Sequence, residues 1–175
     1  MDRITLVESS ADKRVAAIFQ EILDEKGCIP NIYRAYAHDP RLLETNWSRF
    51  KALMIGGCLS VVLKECIALV VATDNQCDYF IRRHTAVLQE LGVDPQEVLR
   101  IRTHPDEPHL SPKDHALLEL ARYANLTPYD HGERWLDAAQ AQGASDEEIV
   151  EALGMMEWYA GASKLAAILN LPSDY

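Results

Sequence analysis

The sequence lacks an apolar run fit to cross a bilayer, because its greasiest stretch, Leu59 to Ala72, is interrupted by Lys64 and Glu65. No leader is expected either, because MDRITLVESS places Asp2, Arg3 and Glu8 where a secretory segment needs an unbroken apolar core, and neither targeting nor membrane contact is expected. Cysteine is sparse. Cys28, Cys58, Cys66 and Cys77 are too few and too scattered to staple a small secreted domain, which points to a reducing, cytoplasmic setting. Positive charge is short as well, with 17 Lys plus Arg against 27 Asp plus Glu. A net charge of -10 repels a phosphate backbone, so nucleic acid is not an expected partner. There is no internal repeat or low-complexity tract.

What is present is an apolar content of 48% in 175 residues, enough to fill one core without a metal or a disulfide. One domain over residues 1–175 is expected, with residues 1–40 as an N-terminal helical extension. The spacing is helical almost throughout. Val15, Ile18, Phe19 and Ile22 share a face, as do Leu43, Trp47, Phe50 and Met54, and then Leu117, Leu120, Ala121 and Ala124. Asp39-Pro40, Asp94-Pro95 and Ser111-Pro112 each offer a capping oxygen followed by proline at the first helical position. Ser145 with Glu148 predicts a capping box for a last helix over residues 147–169, which Gly154 and Gly161 are expected to kink or pack closely. Gly92 and Gly143 read as helix ends. The one strand-like alternation, Ile4 to Val7, has no partner in view, so the fold class is all-α: a helical bundle with a central hairpin.

That hairpin, Leu59 to Leu91, carries the candidate chemistry. Its first half is apolar nearly all round, yet holds Glu65 among Leu63, Cys66, Ile67 and Leu69. A buried carboxylate must be paired, bonded or neutralised, and its environment suits a general base. The bland alternative is that Glu65 leans into solvent or pairs with Lys64 or an arginine. Asp74 or Asn75 can cap a second helix whose first turn then holds Cys77, where the helix dipole favours thiolate. Cys77, Phe80 and His84 lie three and then four apart, on one face toward which the hairpin folds Glu65. Glu65, Cys77 and His84 are expected to border one largely apolar pocket, with Phe80 in its wall.

These residues resemble the alkylhydroperoxidase D-like and carboxymuconolactone decarboxylase superfamily, in particular its peroxidase-related branch. That branch shows N-x-C-x-Y-C-x-x-x-H, with a glutamate twelve positions before the first cysteine. Asn75, Cys77, Tyr79, His84 and Glu65 match it. The resemblance extends to Gly27, Pro30 and Asn31, to Leu110-Ser111-Pro112, and to Ser145 through Ile149. It implies catalytic roles for Glu65, Cys77 and His84 and calls for no cofactor and no metal. One position departs: the second cysteine of the motif is Phe80 here. In the redox-active members, the resemblance implies, two thiols cycle through a disulfide while glutamate and histidine relay protons, and Phe80 can do neither. Cys77 and His84 are also separated by about 10.5 Å of helical rise.

Three functions follow as expectations. The first is a peroxidase-related antioxidant oxidoreductase, in which Cys77 attacks a hydroperoxide, becomes a sulfenic acid and is rescued by an external thiol reductant. The second is a lyase or isomerase that uses Glu65 and His84 as an acid–base pair on a small acid or lactone, with Cys77 incidental. The third is a non-catalytic helical scaffold. Cys28, Cys58 and Cys66 read as inert packing. Arg82 and Arg83 are suited either to steering an anion or to a solvated face. His104, His109 and His115 near Asp106, Glu107 and Asp114 have ligand-rich composition but match no metal spacing, and read as a loop from Arg102 to Pro112. Met155, Met156, Trp158 and Tyr159 are assigned to core or subunit contact, and a homo-oligomer is expected because the last helix is apolar around much of its girth.

Overall fold

The computed structural model describes residues 3–130 and 132–174, and among them there are only helices and connecting loops. In chain order they are α1 (Lys13–Lys26), α2 (Asn31–Tyr36), α3 (Pro40–Phe50), a π-helical turn (Lys51–Ile55), α4 (Val61–Asp74), α5 (Asp78–Glu90), α6 (Pro95–Thr103), α7 (Pro112–Leu126), α8 (Gly132–Ala141) and α9 (Asp146–Leu169). Ile4 to Val7 forms no strand. The Val7 N–H instead bonds the Arg34 carbonyl at 3.3 Å.

The capping chemistry places the helices where the sequence predicts. Asp39, Asp94 and Ser111 each accept a backbone N–H with proline following, and Ser145 and Glu148 complete their reciprocal box. Helix α9 runs unbroken through both glycines: the close packing expected is found at Gly154, against the Leu53 side chain, and is corrected at Gly161, which faces open space. One boundary also needs correction. Helix α6 extends to Thr103, so the following loop begins later than the composition suggested.

Helix α4 is the axis. It is buried at every position from Leu63 to Ala72 and packs against α5, α6, α7 and α9. Burial on all sides is what its apolar circumference demands. Helix α1 sets Val15, Ile18, Phe19 and Ile22 into the core and packs against α3.

Two adjacent charged residues of α4 are buried, and they face different partners. Lys64 is 2% exposed and pairs not with Glu65 but with Glu151 of α9, at 2.9 Å. The other Glu151 oxygen accepts the N–H groups of Cys58 at 2.6 Å and Leu59 at 3.2 Å, and the Cys58 thiol at 3.0 Å. Lys64 also donates to the Gly56 carbonyl. The connection fits only because Gly57 adopts φ +87°, where a Cβ would lie 2.1 Å from the Glu151 carboxylate.

Candidate active site

The turn between α4 and α5 sets the site. Asn75 closes α4 instead of opening α5: its side-chain amide donates to the Val71 carbonyl at 2.8 Å and to Asn125 at 3.1 Å. Cys77 itself occupies the N-cap of α5, one step earlier than the first-turn position expected, and its N–H bonds the Ala72 carbonyl at 2.9 Å. This short link folds α5 back along α4 and brings Nδ1 of His84 to 2.6 Å from Oε2 of Glu65. The pairing removes the alternatives of a solvent-facing Glu65 or a Lys64 partner.

Glu65 and His84 are 6% and 3% exposed. The imidazole stacks on Phe80, with centroids 5.8 Å apart, and meets the Tyr159 ring edge-on at 4.7 Å. In the neutral tautomer that donates Nδ1–H to the carboxylate, Nε2 is the free acceptor; this atom is buried with no partner among the described residues. Glu65, His84 and Phe80 line a cavity of about 180 Å³. Its other walls come from Glu25 and Lys26 of α1, Tyr33 and Tyr36 of α2, Phe50 of α3, Met54 and Ile55 of the π turn, Tyr79 and Arg83 of α5, Trp158 and Tyr159 of α9, and Asp174.

Cys77 does not line this cavity, which corrects the expected convergence of three residues. The thiol is 2% exposed. Burial pushes its pKa above the ordinary value, and the N–H groups of Phe80 and Tyr79 together with the Ser163 hydroxyl oppose that shift without reversing it. Thiolate stabilisation by the helix start is therefore outweighed by desolvation. Cys66 is fully buried and pushed up to about 12 by burial and by Glu65. Cys28 and Cys58 are exposed, so their assignment to packing is corrected, and Glu151 holds the Cys58 thiol up at about 11.

The two arginines divide: Arg82 is exposed, whereas Arg83 lines the cavity. The loop histidines have separate local partners, His109 on Glu97 at 2.9 Å and His104 on Thr103 at 2.8 Å. No group of three or more metal-ligating side chains forms among the described residues.

Sequence reasoning missed several lining residues. Trp158 and Tyr159 read as core on an apolar helix, and nothing local marks them as facing His84. Lys26 reads as an ordinary basic residue in the last turn of α1. Tyr79 belongs to the motif, but its bonds reach far along the chain: the hydroxyl donates to Asp174 at 2.5 Å and accepts from the Ile32 N–H at 3.2 Å.

Residues 40–123 match the model of the Carboxymuconolactone decarboxylase family. Among solved structures, a peroxidase-related protein from Silicibacter sp. TM1040 is 21% identical, with a TM-score of 0.87 over 98% of this chain and 91% of that one. An alkylhydroperoxidase AhpD core, a peroxidase-related protein from Ralstonia eutropha JMP134, is 20% identical, with a TM-score of 0.88 over 99% and 92%. The debrominase Bmp8 is 16% identical, with a TM-score of 0.82 over 98% and 91%. At such identities the likeness is one of fold. No curated protein matches the chain. No helix among the described residues is long and apolar enough to cross a membrane.

Proposed function

We propose that this chain, whose residues 40–123 match the model of the Carboxymuconolactone decarboxylase family, is an acid–base enzyme in which Glu65 and His84 move protons on a small substrate. One observation carries this reading. The imidazole is fixed on one side by a carboxylate at 2.6 Å and presents on the other a buried nitrogen with no protein partner. A buried polar atom without a partner costs free energy, and a reacting proton is a reason to retain it.

In the reaction class this favours, Nε2 of His84 takes a proton from carbon next to a carbonyl. The C–H electron pair passes into the enolate, and Glu65 stabilises the imidazolium that forms. Return of the proton to a different carbon completes an isomerisation. If instead a carboxylate leaves as carbon dioxide, the C–C electron pair passes into the enolate, and His84, protonated at Nε2 from solvent before the step, delivers that proton to carbon. Phe80 and Tyr159 pack on the ring and fix its orientation toward the cavity.

The hydroperoxide reading has weaker support here. Cys77 is absent from the cavity lining and its thiol pKa is raised by burial, and Phe80 stands where the resemblance calls for a second cysteine. Muconolactone and 4-carboxymuconolactone are suitable probes. Wild type and Cys77→Ala should turn over at least one of them, while Glu65→Gln and His84→Gln lose about 10²–10⁴-fold. Turnover that survives His84→Gln, or thiol-dependent hydroperoxide consumption abolished by Cys77→Ala, would overturn the assignment.

A further inference from the structure

The motif residues lie between 59 and 91, but part of the cavity wall comes from α1, outside the segment matched by the family. Lys26, in the last turn of that helix, is half-buried, and its ammonium lies 3.8 Å from the centroid of the Phe50 ring. No carboxylate among the described residues is within ion-pairing distance of it. In a chain with ten more acidic than basic residues, a partly buried cation without a counter-ion is unexpected. Burial, and next the charge of Arg83, pull its pKa down to about 8. The stacking on Phe50 offsets only part of that cost.

The carboxylates of the cavity are committed elsewhere. Glu65 holds His84, and Asp174 accepts from the Tyr79 hydroxyl and from the Asn31 N–H at 2.7 Å. Glu25 is exposed at the rim. We propose that Lys26 is the anion-binding residue of this cavity, and that its ligand is a flat organic anion of about one ring, held with its negative group at the Lys26 ammonium and its ring beside His84. The placement beside His84 rests on the acid–base reading; the binding role of Lys26 does not.

Size and shape agree with this ligand. The cavity of about 180 Å³ is smaller than a drug-sized site, and an apolar cavity of roughly 150 Å³ accommodates benzene. Tyr33, Tyr79, Trp158 and Tyr159 add aromatic surface suited to a ring, while Phe50 is stacked on Trp47 and carries the Lys26 ammonium over its ring. An anion at Lys26 would also meet the positive charge of Arg83. The remaining neighbours do not add a competing charge near neutral pH. Burial raises the pKa of the phenols Tyr33, Tyr36 and Tyr159, which keeps them neutral. His84 is already paired, and Cys28 lies just beyond Lys26 on its own segment.

The test compares benzoate with its neutral isostere benzamide, using calorimetry or tryptophan fluorescence, on wild type, Lys26→Met, Lys26→Arg and His84→Gln. Folding of each variant is verified by circular dichroism. Near neutral pH wild type should prefer benzoate by about ten-fold. The preference should fall as the Lys26 ammonium loses its proton at higher pH, should vanish in Lys26→Met, and should persist to higher pH in Lys26→Arg. His84→Gln should retain the preference. Equal binding of the two probes by wild type, or undiminished benzoate preference in Lys26→Met, overturns the proposal. Lys26-dependent benzoate binding without lactone turnover would remove the acid–base reading alone; turnover with Lys26-independent binding would remove this one alone.

Discussion

Helix α4 carries two neighbouring charged residues, and their surroundings differ in a way that separates architecture from chemistry. Lys64 meets Glu151 in a closed arrangement, where the ammonium also bonds a carbonyl and the carboxylate gathers two N–H groups and a thiol. Glu65 meets His84 in an open one, where the second imidazole nitrogen has no partner and the pair borders a cavity. Both pairs are buried, so burial alone does not identify a working site. The distinguishing feature is the cavity that Glu65 and His84 line and that Lys64 and Glu151 do not.

The strongest way to break this comparison is to truncate the closed pair. Glu151→Ala strands the Lys64 ammonium in the core and should cost about 3–5 kcal/mol, read from urea unfolding. A loss below about 1 kcal/mol would show that the pair contributes little. Next in size, Gly57→Ala forces a side chain into a φ +87° backbone and against the Glu151 carboxylate. A loss of about 1–3 kcal/mol is expected, with the Glu65–His84 site unchanged in the folded protein.

The open pair should respond in the opposite way. Glu65→Gln keeps a neutral acceptor for Nδ1–H, so unfolding free energy should stay within about 1.5 kcal/mol of wild type while lactone turnover collapses. A parallel loss of stability and turnover would make Glu65 a structural residue like Glu151.

The smallest effect concerns Lys26, whose ammonium, unlike that of Lys64, has no carboxylate. Its pKa is lowered from 10.5 to about 8 on folding, so between these values the unfolded state binds more protons and this group makes stability rise with pH. Below about 8 the folded protein bears the full penalty of the charge. Lys26→Met should therefore raise the midpoint of thermal unfolding slightly near neutral pH, with the gain fading toward pH 10.5. A variant that is less stable at every pH would show that stacking on Phe50 outweighs desolvation.

The sequence disclosed what local rules govern. Proline-backed caps located α3, α6 and α7, and the apolar circumference of α4 together with the spacing of α5 brought Glu65 and His84 onto one hairpin. What stayed hidden depends on contacts distant in sequence. From the sequence Lys64 reads as a partner for its neighbour Glu65, because the true partner, Glu151, lies on the last helix. A helix start argues for a reactive Cys77, but desolvation decides its pKa, and desolvation depends on what packs over it. Lys26 carries no local mark either, since its significance arises from the company of Phe50, Arg83 and His84.

The burial of α4 at ten consecutive positions sets a timescale for the site. Segments with exposed hydrogen bonds open by local fluctuation, whereas a helix enclosed on every side releases its amide protons only when the whole molecule unfolds. The backbone that carries Glu65 should thus be among the slowest to exchange with deuterated solvent. The pairing of the Glu65 carboxylate with the His84 imidazole is thereby mounted on backbone that should open only with the whole fold.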